Sequence, residues 1–238
     1  MHQEKTKSQL IKILVAGNSN VGKSSLIKKF CTGHYSGNPI ASTLGKILHF
    51  FPPDLTFPLG TDFHNKTLKV NGKEVGLEIW DIQGQEKYSH SVPDSYFRRA
   101  NAIMLVYSQY DRDSFECIQT WMEKIEEKAP KNVTRVLVAA KCDEKPEDRE
   151  IEVSTEEAVN LAKSYQMEFF ETSAKEGIQV DAPFRVVAQD YLDQEKALEM
   201  TNDTLNILAA ELQDGWQRQS LRSESDCCFV VYNRICSG

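Results

Sequence analysis

No run of about 18 apolar residues occurs in the chain, so the sequence offers no helix that would span a bilayer. Positive charge is not in excess. The net charge is −7, which gives no footing for a nucleic-acid surface. The opening residues, MHQEKTKSQL, lack the apolar stretch of a signal peptide, and none is expected. Six cysteines stand at 31, 117, 142, 227, 228 and 236 and form no C-x-x-C pair. A metal site built on them is therefore not expected, and reduced thiols are the default. No internal repeat is visible. These absences point to a soluble, cytosolic protein, with any membrane contact made at the C-terminus. What is present suffices for a core: 40% of the 238 residues are hydrophobic. That length suits one domain of about 170–200 residues with an appendage.

Periodicity divides the chain into alternating strands and helices. Residues 11–16 read as a buried strand and 23–32 as a helix. A loop follows by composition, from His34 to Pro39. Phe63–Val70 and Glu74–Ile82 flank Asn71-Gly72, the strongest short signal for a hairpin. Ala102–Val106 and Val133–Ala139 read as buried strands. Between them, 113–129 has helical spacing, with Phe115, Ile118, Met122 and Ile125 on one face. Trp121 reads as packing on that helix. Ser154 reads as the N-cap of a helix to about Tyr165. A short strand from Met167 to Phe170 and a helix from about Asp181 complete the pattern. Alternation of this kind, with one hairpin, means α/β: a doubly wound, mostly parallel sheet with one antiparallel hairpin strand.

The chemistry concentrates in Gly17–Ser25, which reads GNSNVGKSS: Gly17, Asn18, Ser19, Asn20, Val21, Gly22, Lys23, Ser24 and Ser25. Gly17, Gly22, Lys23 and Ser24 satisfy G-x-x-x-x-G-K-[ST], between a strand and a helix. Phosphate is a crowded anion, so the backbone must come close, and glycine permits that. Successive N–H groups and the helix N-terminus then point at the oxygens. Lys23 supplies charge for the β and γ phosphates, and the Ser24 hydroxyl is placed to hold magnesium. A chance match in a glycine-containing turn is on the order of one in a hundred for this length, given ordinary glycine usage. A nucleoside triphosphate is the expected ligand.

GNSNVGKS, WDIQGQE, AKCD and ETSAK occur in order at the spacing of the Ras-like small GTPases, and the chain resembles that family over about residues 8–195. The Rab branch fits best, since LGTDF, LEIW, YFRRA and LVY resemble its marker segments. The resemblance implies the P-loop fold of these GTPases, GTP and GDP as ligands, and Mg2+ held with Ser24, Thr43 and Asp81. It implies that Gly84 lets a backbone N–H reach the γ-phosphate and that Gln85 orients the attacking water as the catalytic residue. Lys141 would lie along the base, and Asp143 would accept from guanine N1–H and N2–H2, which adenine cannot match. Ser173, Ala174 and Lys175 would meet the other edge of the base. Phe63, Trp80 and Tyr96 read equally as core or as an aromatic triad that meets effectors. Implied partners are an exchange factor, a GTPase-activating protein and effectors, with no nucleic acid and a monomeric state.

Three departures stand out. The family has Asn where this chain has Ala140, and that Asn bonds the base and ties the base loop to the phosphate loop. Residues 46–60, KILHFFPPDLTFPLG, interrupt what would otherwise read STLGTDF. They read as foreign to the switch, an insertion or a retained untranslated segment, with glycine at both edges. Finally, Cys236-Ser237-Gly238 is not a prenylation terminus, while Cys227-Cys228 lies upstream. Attachment to the cytosolic face of endomembranes is expected to use Cys227 and Cys228 or to fail.

The expected organisation is a GTPase domain at 8–195 with the inserted 46–60, a helical extension at 196–217 and a disordered tail at 218–238. In the extension, Leu205, Leu208, Leu212 and Trp216 share a helix face. That stripe reads as packing or a partner helix, and its acidic flanks disfavour membrane insertion. The leading functional expectation is a GTP-hydrolysing switch of vesicle and membrane traffic, slow without an activating protein. The alternative is a catalytically weak pseudo-GTPase that sequesters exchange factors, favoured by Ala140 and the insert. An ATP-dependent kinase on the same loop is disfavoured by Asp143 and by the lack of an Arg-rich lid.

Overall fold

The structure is a computed structural model that describes residues 10–35, 61–82, 92–143, 150–206 and 208. The expected segment 46–60, Thr43, Gly84, Gln85 and the tail cysteines 227, 228 and 236 lie outside those residues. So do Leu212 and Trp216.

The strands are β1 (Leu10–Ala16), β2 (Thr61–Val70), β3 (Lys73–Ile82), β4 (Ala102–Ser108), β5 (Thr134–Ala140) and β6 (Glu168–Thr172). The helices are α1 (Lys23–Thr32), α2 (Asp94–Arg99), α3 (Arg112–Lys128) and α4 (Thr155–Ser164), with α5 beginning at 182. The strands form a six-stranded sheet in the order β2-β3-β1-β4-β5-β6. Every neighbouring pair is parallel except β2 and β3. The doubly wound sheet expected from the alternation is therefore the observed one. Chain direction across the sheet reverses about β1, so a crevice opens at the carboxyl ends of β1 and β4.

Local chemistry explains most of the boundaries. Asn71 and Gly72 turn the hairpin with φ of 50° and 80°, both left-handed, as a two-residue turn matched to strand twist requires. The Asn71 amide then donates to Gln189 Oε1 at 2.7 Å, tying the turn to α5. Ser154 caps α4 by accepting from the Glu157 N–H at 3.2 Å, as its position before the helix suggested. Asp111 caps α3 in the same way, accepting from Ser114 at 3.1 Å. The helix α2 was not expected from the sequence. It has six residues, too few for a period to show, and it forms because Tyr96 and Phe97 are buried while Pro93 starts the turn.

The β1 residues Leu14 and Ala16 join a core made with α2, α3 and α4, in which Trp121 is 1% exposed. Alternation along the strand sends Ile13 and Val15 to the other face. There α1 lies against β2 and β3, and Phe30 stacks on Phe184 of α5 with ring centroids 3.8 Å apart. The chain divides into two compact units, Met1–Tyr191 and Leu192–Gly238. The described residues of the second are helical. There Leu205 and Leu208 of the leucine stripe are 57% and 50% exposed, which accords with the partner-helix alternative of the sequence reading.

Phe184 is fully buried against Phe30. Phe184→Ala removes one ring of the stacked pair and is expected to lower stability by about 3–5 kcal/mol, measured by denaturant unfolding.

Candidate functional site

The expected site residues sit where strands end. The loop from Gly17 to Gly22 leaves β1 and enters α1. Asp81 lies next to last in β3, in register with Val15 of β1. Lys141 and Asp143 follow β5, and Ser173, Ala174 and Lys175 follow β6. Four segments distant in sequence thus converge on one rim of the sheet.

The loop begins with a close approach that only glycine allows. Gly17 has φ of 140°, and a Cβ placed there would lie 2.0 Å from the carbonyl oxygen of Val106 in β4. Gly22 has φ of 115° and hands the chain directly to α1. Val21 is buried beneath the loop, whereas Ser19 and Asn20 are exposed on its crest. Asn20 takes a left-handed φ of 62°. Asn18 turns toward α3, its amide 3.5 Å from Cys117 Sγ, and its buried Oδ1 has no hydrogen-bond partner.

Charge gathers in this arch. Lys23 is 5% exposed, and its ammonium donates to the carbonyls of Gly17 at 2.9 Å and Asn18 at 2.8 Å. Asp81 is fully buried, and neither carboxylate oxygen has a hydrogen-bond partner. Burial pushes its carboxyl above the usual carboxylate range. The nearby Ser24 hydroxyl and the Lys23 ammonium pull in the opposite direction. Ser24 is close enough to act on that carboxyl without forming a hydrogen bond that meets ordinary geometry. A buried carboxylate with two unengaged oxygens beside a hydroxyl is a donor set suited to a hard divalent cation such as Mg2+. These residues fit the metal that the sequence implied.

The opposite end of the crevice is a cleft lined by Gly22, Tyr35, Ala140, Lys141, Asp143 and Lys175, among others. Its loops are braced by backbone bonds. Cys142 N–H donates to Thr172 O at 3.1 Å, and Ser173 and Ile178 exchange two bonds of 3.0 Å. The Asp143 side chain is 7% exposed, with Lys175 Nζ 3.8 Å from Oδ2. That separation is an ion pair and too long for a hydrogen bond, which leaves Oδ2 buried without one. Ala140 is 4% exposed, and a Cβ on Gly22 would come to an ordinary contact distance of 3.4 Å from its methyl. At this seam between the phosphate loop and the base loop, Ala140 offers a methyl where the family pattern has an amide. Tyr35, read from sequence only as part of a loop, lines the same cleft and is 41% exposed. Nothing in its local pattern distinguishes it; only the fold brings it beside Asp143.

Phe63, Trp80 and Tyr96 do form a cluster. Trp80 meets Phe63 edge-on at 6.2 Å and Tyr96 edge-on at 5.2 Å. Trp80 and Tyr96 are buried at 3% and 8%, while Phe63 is 37% exposed. The core reading holds for two of the rings, and the surface reading remains open for Phe63. No group of three or more His, Cys, Asp or Glu side chains suited to a metal occurs among the described residues.

The Ras family model matches residues 12–193 of the chain. The chain is 36% identical over 188 residues to the Ras-related protein Rab-13 of Rattus norvegicus, covering 79% of this chain and 83% of that protein. It is 33% identical over 204 residues to Rab-10 of Diplobatis ommata, covering 86% and 92%. It is also 32% identical over 222 residues to RABE1d of Arabidopsis thaliana, covering 93% and 94%.

The approach of Gly17 to Val106 is to backbone, which cannot move aside as a side chain can. Gly17→Ala is expected to lower the melting temperature and to abolish retention of nucleotide during purification. A variant with the parental melting temperature would show that the approach is not obligatory.

Proposed function

The chain belongs to the Ras family, in its Rab branch, and from that premise we propose how its site works. It is a Rab-like small GTPase of membrane traffic. Nothing in these relatives favours the alternative of a nucleotide-poor protein that sequesters exchange factors. Proteins of this family bind GTP, GDP and Mg2+, and the proposal assigns those ligands to particular residues here.

The observation that carries the assignment is Asp81, buried with both carboxylate oxygens unengaged beside Ser24 and Lys23. Asp81 and Ser24 would hold magnesium, with Thr43 completing the set in the GTP state. When bound, the ion would neutralise charge on the β and γ phosphates. Lys23 would leave the carbonyls of Gly17 and Asn18 for phosphate oxygens. The backbone N–H groups from Asn18 to Ser25 would cradle the rest. Gly84 would offer its N–H to the γ-phosphate, and Gln85 would orient water for in-line attack. At the base, Asp143 would turn from Lys175 to the guanine N1–H and N2–H2 groups. Lys141, Ser173, Ala174, Lys175 and the Tyr35 ring would enclose its faces and edge.

GTP-dependent order in the loops around Thr43 and Gln85 is what effectors would read, with Phe63 as an exposed apolar contact backed by Trp80 and Tyr96. An exchange factor and a GTPase-activating protein would set the two rates of the cycle on a monomeric chain. No helix among the described residues is long and apolar enough to cross a membrane. Peripheral attachment through Cys227 and Cys228 is the proposed route to the cytosolic face of endomembranes. A single lipid chain holds only marginally, so a pair suits the task.

Single-turnover assays with purified protein test this reading. GTP is expected to be cleaved and ATP not, and Asp143→Asn is expected to shift preference from guanine to xanthine nucleotides. Absence of cleavage, or unchanged base preference in the variant, would overturn it. Ala140 supplies no hydrogen bond where the family pattern has one or two, each worth about 0.5–1.5 kcal/mol. Ala140→Asn is accordingly expected to slow GDP dissociation by up to about tenfold per 1.4 kcal/mol regained, as read by displacement of a fluorescent GDP.

A further inference from the structure

Leu198, Met200, Leu205 and Leu208 are large apolar side chains left exposed on one short stretch of helix in the second unit. Every residue from 196 to 206 is exposed there. Leu198, itself 61% exposed, stands seven residues before Leu205, and Leu208 follows three residues later. At 3.6 residues per turn these three share one face, with Thr201 between them, while Met200 lies on the other side. The spacing is that of a two-stranded seam, in which apolar positions alternate at three and four. A helical stretch this short is marginal in water by itself, and helices of this kind draw their stability from covering the apolar face.

Charge on the same helix is arranged to one side. Glu195, Glu199 and Asp203 recur every four residues and form a ridge along one flank of the stripe. The nearby Lys196 is engaged elsewhere, its Nζ 3.5 Å from Asp193 Oδ1. None of the three ridge carboxylates has an ion-pair partner among the described residues. Like charges four residues apart repel and weaken a helix that stands alone. The opposite flank, with Ala197 and Thr204, carries no charge. This asymmetry separates the candidate occupants. A second copy lying parallel would set its Ala197 and Thr204 beside the ridge, and one lying antiparallel would set ridge against ridge, so neither relieves the repulsion. An anionic bilayer surface would add to it. A helix with an apolar stripe and Lys or Arg along its flank covers the leucines and neutralises the ridge together.

We propose that the Leu198–Leu205–Leu208 face, with its Glu195–Glu199–Asp203 ridge, is a docking surface for a basic amphipathic helix of a partner protein, the two pairing as a short two-stranded coil. The inference goes beyond the nucleotide site, to which none of these residues belongs. The leucines supply the apolar area that leaves water. The ridge selects the sign of the partner's charge, so docking weakens as salt rises.

The probe is a fluorescent peptide of about three heptads with Leu at both seam positions and Lys on both flanks, whose own copies repel one another. Its counterpart carries Glu on the flanks. Anisotropy titrations against full-length protein are expected to show saturable binding of the Lys peptide, about tenfold or more tighter than the Glu peptide and weakening with salt. Leu198→Gln with Leu205→Gln keeps good helix formers and every charge, and is expected to weaken Lys-peptide binding by about tenfold or more. Glu195→Lys, Glu199→Lys and Asp203→Lys together are expected to reverse the preference toward the Glu peptide. Circular dichroism checks that each variant keeps its helix; if the double leucine variant loses it, Leu205→Gln alone takes its place with a smaller loss of binding expected. No binding of the Lys peptide, equal binding of the two peptides, or unchanged binding in the leucine variant would overturn the proposal. So would a parental dimer, seen by light scattering, that the leucine variant disperses, since the face would then belong to a second copy. Binding to anionic vesicles that the same variant loses would assign the face to a bilayer and likewise overturn it.

Discussion

Gly17 passes over the carbonyl of Val106 with no room for a side chain, and the nucleotide site depends on that passage. A strand that ends beside its neighbour must either stop or turn out of the sheet. Here β1 turns sharply at its junction with β4, and the loop arches back into α1. Because the arch is tight, the Lys23 ammonium can reach the Gly17 and Asn18 carbonyls of the same loop. Because it lies at the sheet's reversal point, the ends of β3, β5 and β6 surround it. One steric allowance thus sets the position of charges that come from four stretches of sequence.

The two ends of the crevice rest on different physics. At the phosphate end, polar groups are concentrated and desolvated, and the buried Asp81 carboxylate has two oxygens that no hydrogen bond engages. At the base end, loops are pinned by backbone bonds such as Cys142 to Thr172, and the Asp143 carboxylate lies 3.8 Å from the ammonium of the exposed Lys175. The seam between the ends passes through Gly22 and Ala140. A methyl at Ala140 offers no hydrogen bond and orients nothing, whereas an amide there could bond both loops. The departure at Ala140 therefore bears on how firmly the ends are coupled more than on whether either forms.

A switch also needs parts that can be reordered without loosening the sheet. In this fold the residues expected to move, near Thr43 and Gln85, are joined to elements with buried ends. β3 ends in register with β2, and Val92 is held from α3 by Lys124. On the proposed reading, anchors of this kind would let a local change in contacts at phosphate alter a surface elsewhere, as at Phe63, without unfolding the sheet. The Phe63–Trp80–Tyr96 cluster illustrates the arrangement, with two rings sunk in the core and one left at the surface.

The sequence by itself determined what is local or strongly periodic. The turn at Asn71-Gly72 was legible because both residues tolerate left-handed backbone, and the Ser154 cap because its hydroxyl serves an N–H three residues on. The loop joining β1 to α1 was legible because its glycines and the Lys-Ser pair stand at the fixed spacing of such a strand–loop–helix turn, and α3 because its apolar face repeats over seventeen residues. Tertiary structure alone decided the rest. A six-residue helix such as α2 has no period to read and exists through the burial of Tyr96 and Phe97. Tyr35 joins the base cleft only when the segment after α1 is brought to the segments after β5 and β6. Leu205 and Leu208 share a helix face in sequence, yet a shared face does not say whether anything covers it. Nothing in the sequence marks Lys124 as buried, since charge, unlike apolar spacing, carries no sign of burial. Only the fold shows it burying its ammonium, 2.6 Å from a carbonyl thirty-two residues away.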